Sequence, residues 1–234
     1  MSETPPAMLL EPGQPRYPLS MSRGGKTPIL SALGNLDLLD TPGLGFCGSR
    51  KVSEKGIAVT IDCAEQAVEA GFTVISGNAA GVDFAAHHTA LAHGGATILV
   101  LAEGIERFRI RRELRPVWDW ARVLVLSPFV PQAVWQAYRA MERNDVIISL
   151  SRAMIVVEAG DTGGTLAAGL RSLQVGKPLF VAEYENIEQI APGNAQLLAK
   201  GAQRLRRNRE TGRANVAALR SLAVQTHAVQ PALL

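Results

Sequence analysis

The chain has 234 residues, enough for one large domain with extensions or for two small ones, and enough to bury a substantial core. Hydrophobic residues make up 47% and charged residues 19%, which excludes a wholly disordered chain. The net charge of +3 hides a local excess of base in "RLRRNRETGR", Arg204 to Arg213, where five Arg stand against one Glu.

Cys47 and Cys63 are the only cysteines, and no CxxC or His spacing accompanies them, so neither a zinc site nor a disulfide framework is expected. No run reaches the ~18 to 20 apolar residues of a membrane span, and "MSETPPAMLLEPGQPRYP" lacks the basic start and apolar centre of a secretory leader. The expectation is a cytoplasmic protein with no membrane contact.

In chain order, residues 1–26 are rich in Pro, Gly and Ser and predict a loose arm. The run "PILSALGNLDLLD", Pro28 to Asp40, predicts a short helical segment. From Leu44 short apolar runs alternate with longer runs of 3.6-residue period, the pattern of βα units. Strands are predicted at Leu44–Gly48, Thr73–Ser76, Ala96–Leu101, Arg122–Ser127, Met154–Glu158 and Pro178–Val181. Helices are predicted at Glu54–Ala70, Gly81–His93, Ile110–Ala121, Pro131–Leu150 and Thr165–Val175. The fold class is therefore α/β: a doubly wound, mostly parallel Rossmann-like sheet with helices on both faces. Three parts are expected: an N-terminal arm with a helical segment over 1–40, the Rossmann-like domain over 41–203, and a basic C-terminal extension over 204–234.

In such a sheet, ligands bind at the carboxyl ends of the strands. The loops there are small and polar: Gly48-Ser49-Arg50-Lys51 after the first strand, Ser76-Gly77-Asn78 to Gly81 and Asp83 after the second, and Glu158 to Gly163-Gly164-Thr165 after the fifth. Glycines let a ligand approach the backbone, and the helix N-termini that follow favour anions. Arg50 adds a planar fork of donors suited to phosphate, and a cation there sits badly with the helix dipole unless an anion is bound. For Ser53 and Asp83 a purely structural capping role stands equally beside a ligand contact. Neither GxGxxG nor a Walker pattern is present. His87, His88 and His93 on one helix, and His227 in the tail, read as satisfied or solvent-facing groups, not metal ligands or acid–base residues.

Four blocks carry a family resemblance. They are "GSRKVSEKG" (Gly48 to Gly56), "SGNAAGVDFAAHHTALAHGGATILVL" (Ser76 to Leu101), "RNDVIISLSRAMIVVEAGDTGGTL" (Arg143 to Leu166) and "PGNAQLLAKGA" (Pro192 to Ala202). Together, from about Leu44 to Ala202, they resemble the DprA/Smf family of DNA-processing proteins. The resemblance implies a Rossmann-like core that binds single-stranded DNA at this rim, usually as a homodimer, with the RecA recombinase as a further partner during natural transformation. It brings Arg143 and Asn144 into the expected phosphate-binding set with Gly48, Ser49, Arg50, Lys51, Ser53, Ser76, Gly77, Asn78, Gly81, Asp83, Gly163, Gly164 and Thr165. No catalytic residue, metal or cofactor is expected.

The sequence departs from the family pattern at three places. Asp145 stands where a second Arg follows Asn144, which opposes DNA if the side chain faces the rim. Gly163 replaces a Ser, and "EGIERFRIRRELRP" carries Arg107, Arg109, Arg111, Arg112 and Arg115 where a Tyr-Pro is usual. The short flanks resemble a reduced, core-only member. Aromatics are 5% of residues, with Phe46, Phe84 and Phe108 the candidates near the rim and Phe46 and Phe84 fitting the core better, so electrostatics should outweigh stacking. The alternative is a nucleotide sensor or phosphoribohydrolase-like enzyme using Glu158 or Asp161. A weaker one is an interaction module acting through its Arg-rich tail.

Overall fold

The structure is a computed structural model and describes residues 3–23 and 27–224; His227 lies outside them. Among the described residues nine strands form one sheet: β1 (Met8–Leu10), β2 (Leu30–Gly34), β3 (Gly43–Cys47), β4 (Thr73–Ser76), β5 (Thr97–Val100), β6 (Val123–Ser127), β7 (Ser151–Val156), β8 (Leu179–Ala182) and β9 (Gln203–Leu205). The helices are α1 (Glu54–Glu69), α2 (Val82–Ala92), α3 (Ala137–Leu150), α4 (Gly164–Gln174), α5 (Ile187–Ile190), α6 (Pro192–Ala199) and α7 (Ala217–Val224), with several 3-10 turns between them.

The sheet order is β1-β2-β6-β5-β4-β3-β7-β8-β9. Strands β3 to β9 pair in parallel with their neighbours, and β2 joins β6, and β1 joins β2, in antiparallel fashion. All six predicted strands are present. The chain runs from β3 outward to β6 and then returns past β3 to β7, which puts the reversal of winding, and the crevice that goes with it, between β3 and β7.

Both faces of the sheet are covered, so its central strands are apolar throughout. Met154 and Val156 of β7 enter a core with Val146, Ile147 and Ile148 of α3, Leu166 of α4 and Leu197 of α6. The alternate residues Ala153 and Ile155 enter a second core with Cys63 and Ala67 of α1, Val82 and Ala86 of α2, and Leu219 of α7. A third cluster, with Phe108, Trp120 and Leu99, closes the end near β6.

Three local expectations change. The segment predicted as helix from Pro28 forms β2 and then a 3-10 turn, Leu36–Asp40. Gly34, at φ +105°, breaks the run between them, and a side chain there would strike the Val123 carbonyl. The helix predicted over Ile110–Ala121 is instead two 3-10 turns, Arg112–Val117 and Trp120–Arg122. Pro116 cannot supply the N–H that a continuous helix needs, and the Trp118 and Trp120 rings pack edge-on at 5.2 Å beside Phe108. Helix α3 begins at Ala137, not at Pro131, because the preceding backbone is bonded elsewhere: Pro131 O accepts from Glu106 N and Ala133 O from Gly104 N.

The flanks expected to lie outside the core supply three of its strands, β1, β2 and β9. The C-terminal segment is fixed further by Arg213, which reaches Asp62, Glu65 and Glu69 on α1. Gln66 Nε2 also donates to Ala214 O.

Candidate functional site

Three loops meet at the carboxyl end of the sheet. Gly81, at φ +75°, lets the start of α2 press against Ser49 O and Arg50 O, and Val82 N donates to Ser49 O across the junction. The loops after β3 and β4 are therefore one unit. Ser49 Oγ accepts from Lys51 N at 3.0 Å and tightens the turn, leaving Arg50 and Lys51 exposed. On the far side of the crevice Gly163, at φ +100°, and Gly164 open α4 with no atom close to where a side chain would point. The amides of Asp161, Thr162 and Gly163 make no hydrogen bond among the described residues. Unbonded amides ahead of a helix start, at the same end of the sheet as an exposed arginine, form an anion-attracting surface.

Beneath this surface the expected site residues divide into contact groups and braces. Ser53 caps α1 by accepting from Gly56 N at 3.0 Å, and its own N–H and hydroxyl donate to the buried Glu158 carboxylate. Asp83 is buried, accepting from Ser76 Oγ at 2.9 Å and Ala79 N at 3.1 Å. Asn144 Nδ2 lies 3.5 Å from Gly164 O, and Thr165 sits half-buried beside Cys47. Arg111 holds Asn78 through its backbone carbonyl at 2.6 Å.

Arg143 does not project over the rim as expected. It is 7% exposed, donates from Nη1 to Val100 O at 3.0 Å, and places Nη2 3.6 Å from Asp83 Oδ2. Its guanidinium lies flat under Gly77, where any side chain would collide with it, and its Nε has no partner. A long side chain from α3 reaches the carboxyl ends of the inner strands only by passing under the loop, which accounts for the burial. Asp145 also faces away: it pairs with Arg171 of α4 at 2.9 Å, and Arg171 and Asp145 together line a cavity of about 760 Å³ under the N-terminal arm. The anion feared at the rim is therefore not there.

His87 is fully enclosed, with Nε2 2.7 Å from Gly77 O and Nδ1 2.6 Å from Thr97 Oγ1. A carbonyl only accepts, so Nε2 carries the proton and the ring fixes Gly77 from below. Burial pushes its pKa down to about 4, so it is neutral at physiological pH. The Cys47 thiol is pushed up to about 12, first by burial and then by Asp83, which leaves it protonated and unreactive. Asn194 of "PGN" is buried, accepting from Ala159 N and donating to Val157 O and Ala182 O, so that motif braces the loop after β7.

The aromatic expectation changes at Phe108, which joins the core along with Phe46. Phe84 is half-buried beside His88. The exposed aromatics are Trp135 and Tyr138, with Arg50 5.0 Å from the Trp135 ring centre. The sequence signal was "FVPQAVWQAY", Phe129 to Tyr138, in which Trp135 falls ahead of the helix and Tyr138 in its first turn.

Fold and rim together define a Rossmann-like protein with glycine-rich loops and exposed cations at its winding reversal. A family model described as "DNA recombination-mediator protein A" matches residues 8–213, and the chain belongs to that family. It is 33% identical over 190 residues to the DNA processing protein DprA of Streptococcus pneumoniae, covering 80% of this chain and 67% of that one. It is 31% identical to the protein Smf of Synechocystis, of which it spans half. The solved structure of the S. pneumoniae protein superposes with a TM-score of 0.76 at 30% identity, over 85% of this chain and 70% of that one. A DNA processing protein A from Helicobacter pylori, whose structure is described by its single-stranded DNA binding mode, superposes at 0.74 with 25% identity, over 86% and 91%. No helix of the described residues is long and apolar enough to cross a membrane.

Proposed function

We propose that this chain binds single-stranded DNA along the rim formed by the loops after β3, β4 and β7, without a catalytic step. The observation that carries the reading is Arg50: exposed, in no ion pair among the described residues, and on the loop after β3, at the same end of the sheet as the loop from β7 that opens α4. Arg50, Lys51 and the loop amides hold phosphates, while Ser53, Asp83, Arg143 and Asn144 keep the loops in place. The description of the H. pylori relative supports DNA as the ligand. The hydrolase reading loses its best carboxylate, because Glu158 is committed to Ser53. Family membership supports two further points, self-association and cooperation with a recombinase, which sedimentation velocity and pull-down of DNA-bound protein would test.

The direct test is binding of labelled oligothymidine and of duplex by anisotropy across salt. Wild type binds the single strand with affinity that falls steeply as salt rises, since each neutralised phosphate releases counterions. Arg50→Ala weakens binding about tenfold and lowers the salt slope by about one. Binding that ignores both salt and the substitution would refute the reading.

A further inference from the structure

The stretch leading from β6 into the first turn of α3 turns apolar side chains outward: Val130 is 69% exposed, Tyr138 55% and Trp135 48%, with Val134 and Met141 also open. So much exposed apolar area in one short segment marks a contact surface. Two guanidinium groups lie on its rings, Arg50 at 5.0 Å from Trp135 and Arg139 at 5.5 Å from Tyr138 and 5.6 Å from Phe129. The remaining tryptophans, Trp118 and Trp120, pack against Phe108 and each other and take no part.

We propose that Trp135 and Tyr138 form a stacking platform for unpaired nucleobases, so that the rim selects single strands by their bases as well as their phosphates. This rests on the reading of the rim as a nucleic-acid site. Arg50 joins the two functions: its charge faces phosphate, while its plane beside the Trp135 ring makes a flat, cationic surface against which a base can stack. A base has a flat π-face to offer only when it is out of a duplex, and ring stacking is indifferent to which base it is. Charge argues against a second copy as the occupant. A two-fold contact would bring this patch onto itself, setting Arg50 and Arg139 near their own counterparts with no carboxylate paired to either.

The experiment compares oligothymidine with an abasic strand of the same length, which keeps the phosphates and removes the bases, using the full chain at fixed salt. Wild type binds oligothymidine at least tenfold more tightly than the abasic strand. Trp135→Ala removes about tenfold from oligothymidine binding, leaves the abasic strand nearly unchanged and does not alter the salt slope. Trp135→Phe restores most of the loss, which separates the ring from any effect on folding. Arg50→Ala weakens both strands. Equal wild-type affinity for the two strands overturns the platform while leaving the phosphate site standing. A Trp135→Ala protein that keeps its base preference but falls from dimer to monomer in sedimentation also overturns it. Failure of wild type to bind either strand removes the nucleic-acid reading and this inference together.

Discussion

Around the rim, Arg50, Lys51, Arg107, Arg111 and Arg139 have no carboxylate within 4.0 Å among the described residues, whereas the arginines of the C-terminal segment mostly do. Arg204 and Arg206 share Glu183, Arg213 spans Asp62, Glu65 and Glu69, Arg220 reaches Glu69, and Arg207 is turned onto Gly212 O. By residue count the C-terminal segment is the more basic of the two regions. By pairing it is the less available one. A surface guanidinium opposite a carboxylate contributes little net field, so the density of arginines in a sequence does not locate a polyanion site.

The largest effect that would sharpen this contrast is at Arg143, a cation near the rim that is paired and buried. Arg143→Met strands Asp83 and the Val100 carbonyl in the interior and should cost about 3–5 kcal/mol of stability in urea unfolding. In the fraction that remains folded, DNA affinity should fall without any change in salt slope. A slope reduced by about one would instead make Arg143 a phosphate contact and break the division between braces and contacts.

His87 tests the same floor through pH. The native ring stays neutral down to about pH 4, while the unfolded chain takes up the proton near pH 6.5. The stabilisation is therefore complete above about pH 6.5 and is lost as pH falls towards 4, at up to about 1.4 kcal/mol per pH unit, roughly 3 kcal/mol in all. The groups that face the ring are Gly77 O, Thr97, Asp83, Arg143 and Arg111. Chemical denaturation of wild type and His87→Asn between pH 7 and 4 should show the variant without this part of the slope. Parallel curves would show that the ring is not the group responsible.

Arg213→Ala should cost about 1–3 kcal/mol, since three carboxylates lose a shared partner and the C-terminal segment loses its tie to α1. Its affinity for oligothymidine should stay within twofold of wild type. A larger loss would place the C-terminal segment in the DNA path.

The strands β3 to β8, the helices α1 to α4 and the three glycine loops were legible because each depends on local pattern: apolar runs, a capping Ser53, a glycine at a required positive φ; the helix expected between β5 and β6 was not, because Pro116 interrupts it. What was missed depends on partners distant in sequence. Leu30 to Gly34 become a strand because β6 offers an open edge, and Gln203 to Leu205 because β8 does. The roles of Arg143 and Asp145 turned on which side of α3 meets the loop after β4 and which meets α4, and two residues apart on a helix they point to different neighbours. The arginines of the C-terminal segment look basic in sequence because Glu183 and Asp62 lie far from them along the chain.

The smallest expected effect separates the two regions most sharply. Arg204 and Arg206 are more than half exposed and share one acceptor, Glu183, whose carboxyl they hold below its usual range, Arg206 foremost. An exposed pair of this kind contributes little, so Arg204→Ala/Arg206→Ala should leave the urea-unfolding midpoint close to that of wild type. The double variant removes two positive charges, twice the loss made by Arg50→Ala, and uncovers an anion. If charge count governed DNA binding, it would be the weaker binder of the two and its salt slope would drop by about two. If pairing governs, its affinity and slope stay near wild type while Arg50→Ala weakens binding, because Arg50, unlike Arg204 and Arg206, has no carboxylate to leave when phosphate arrives.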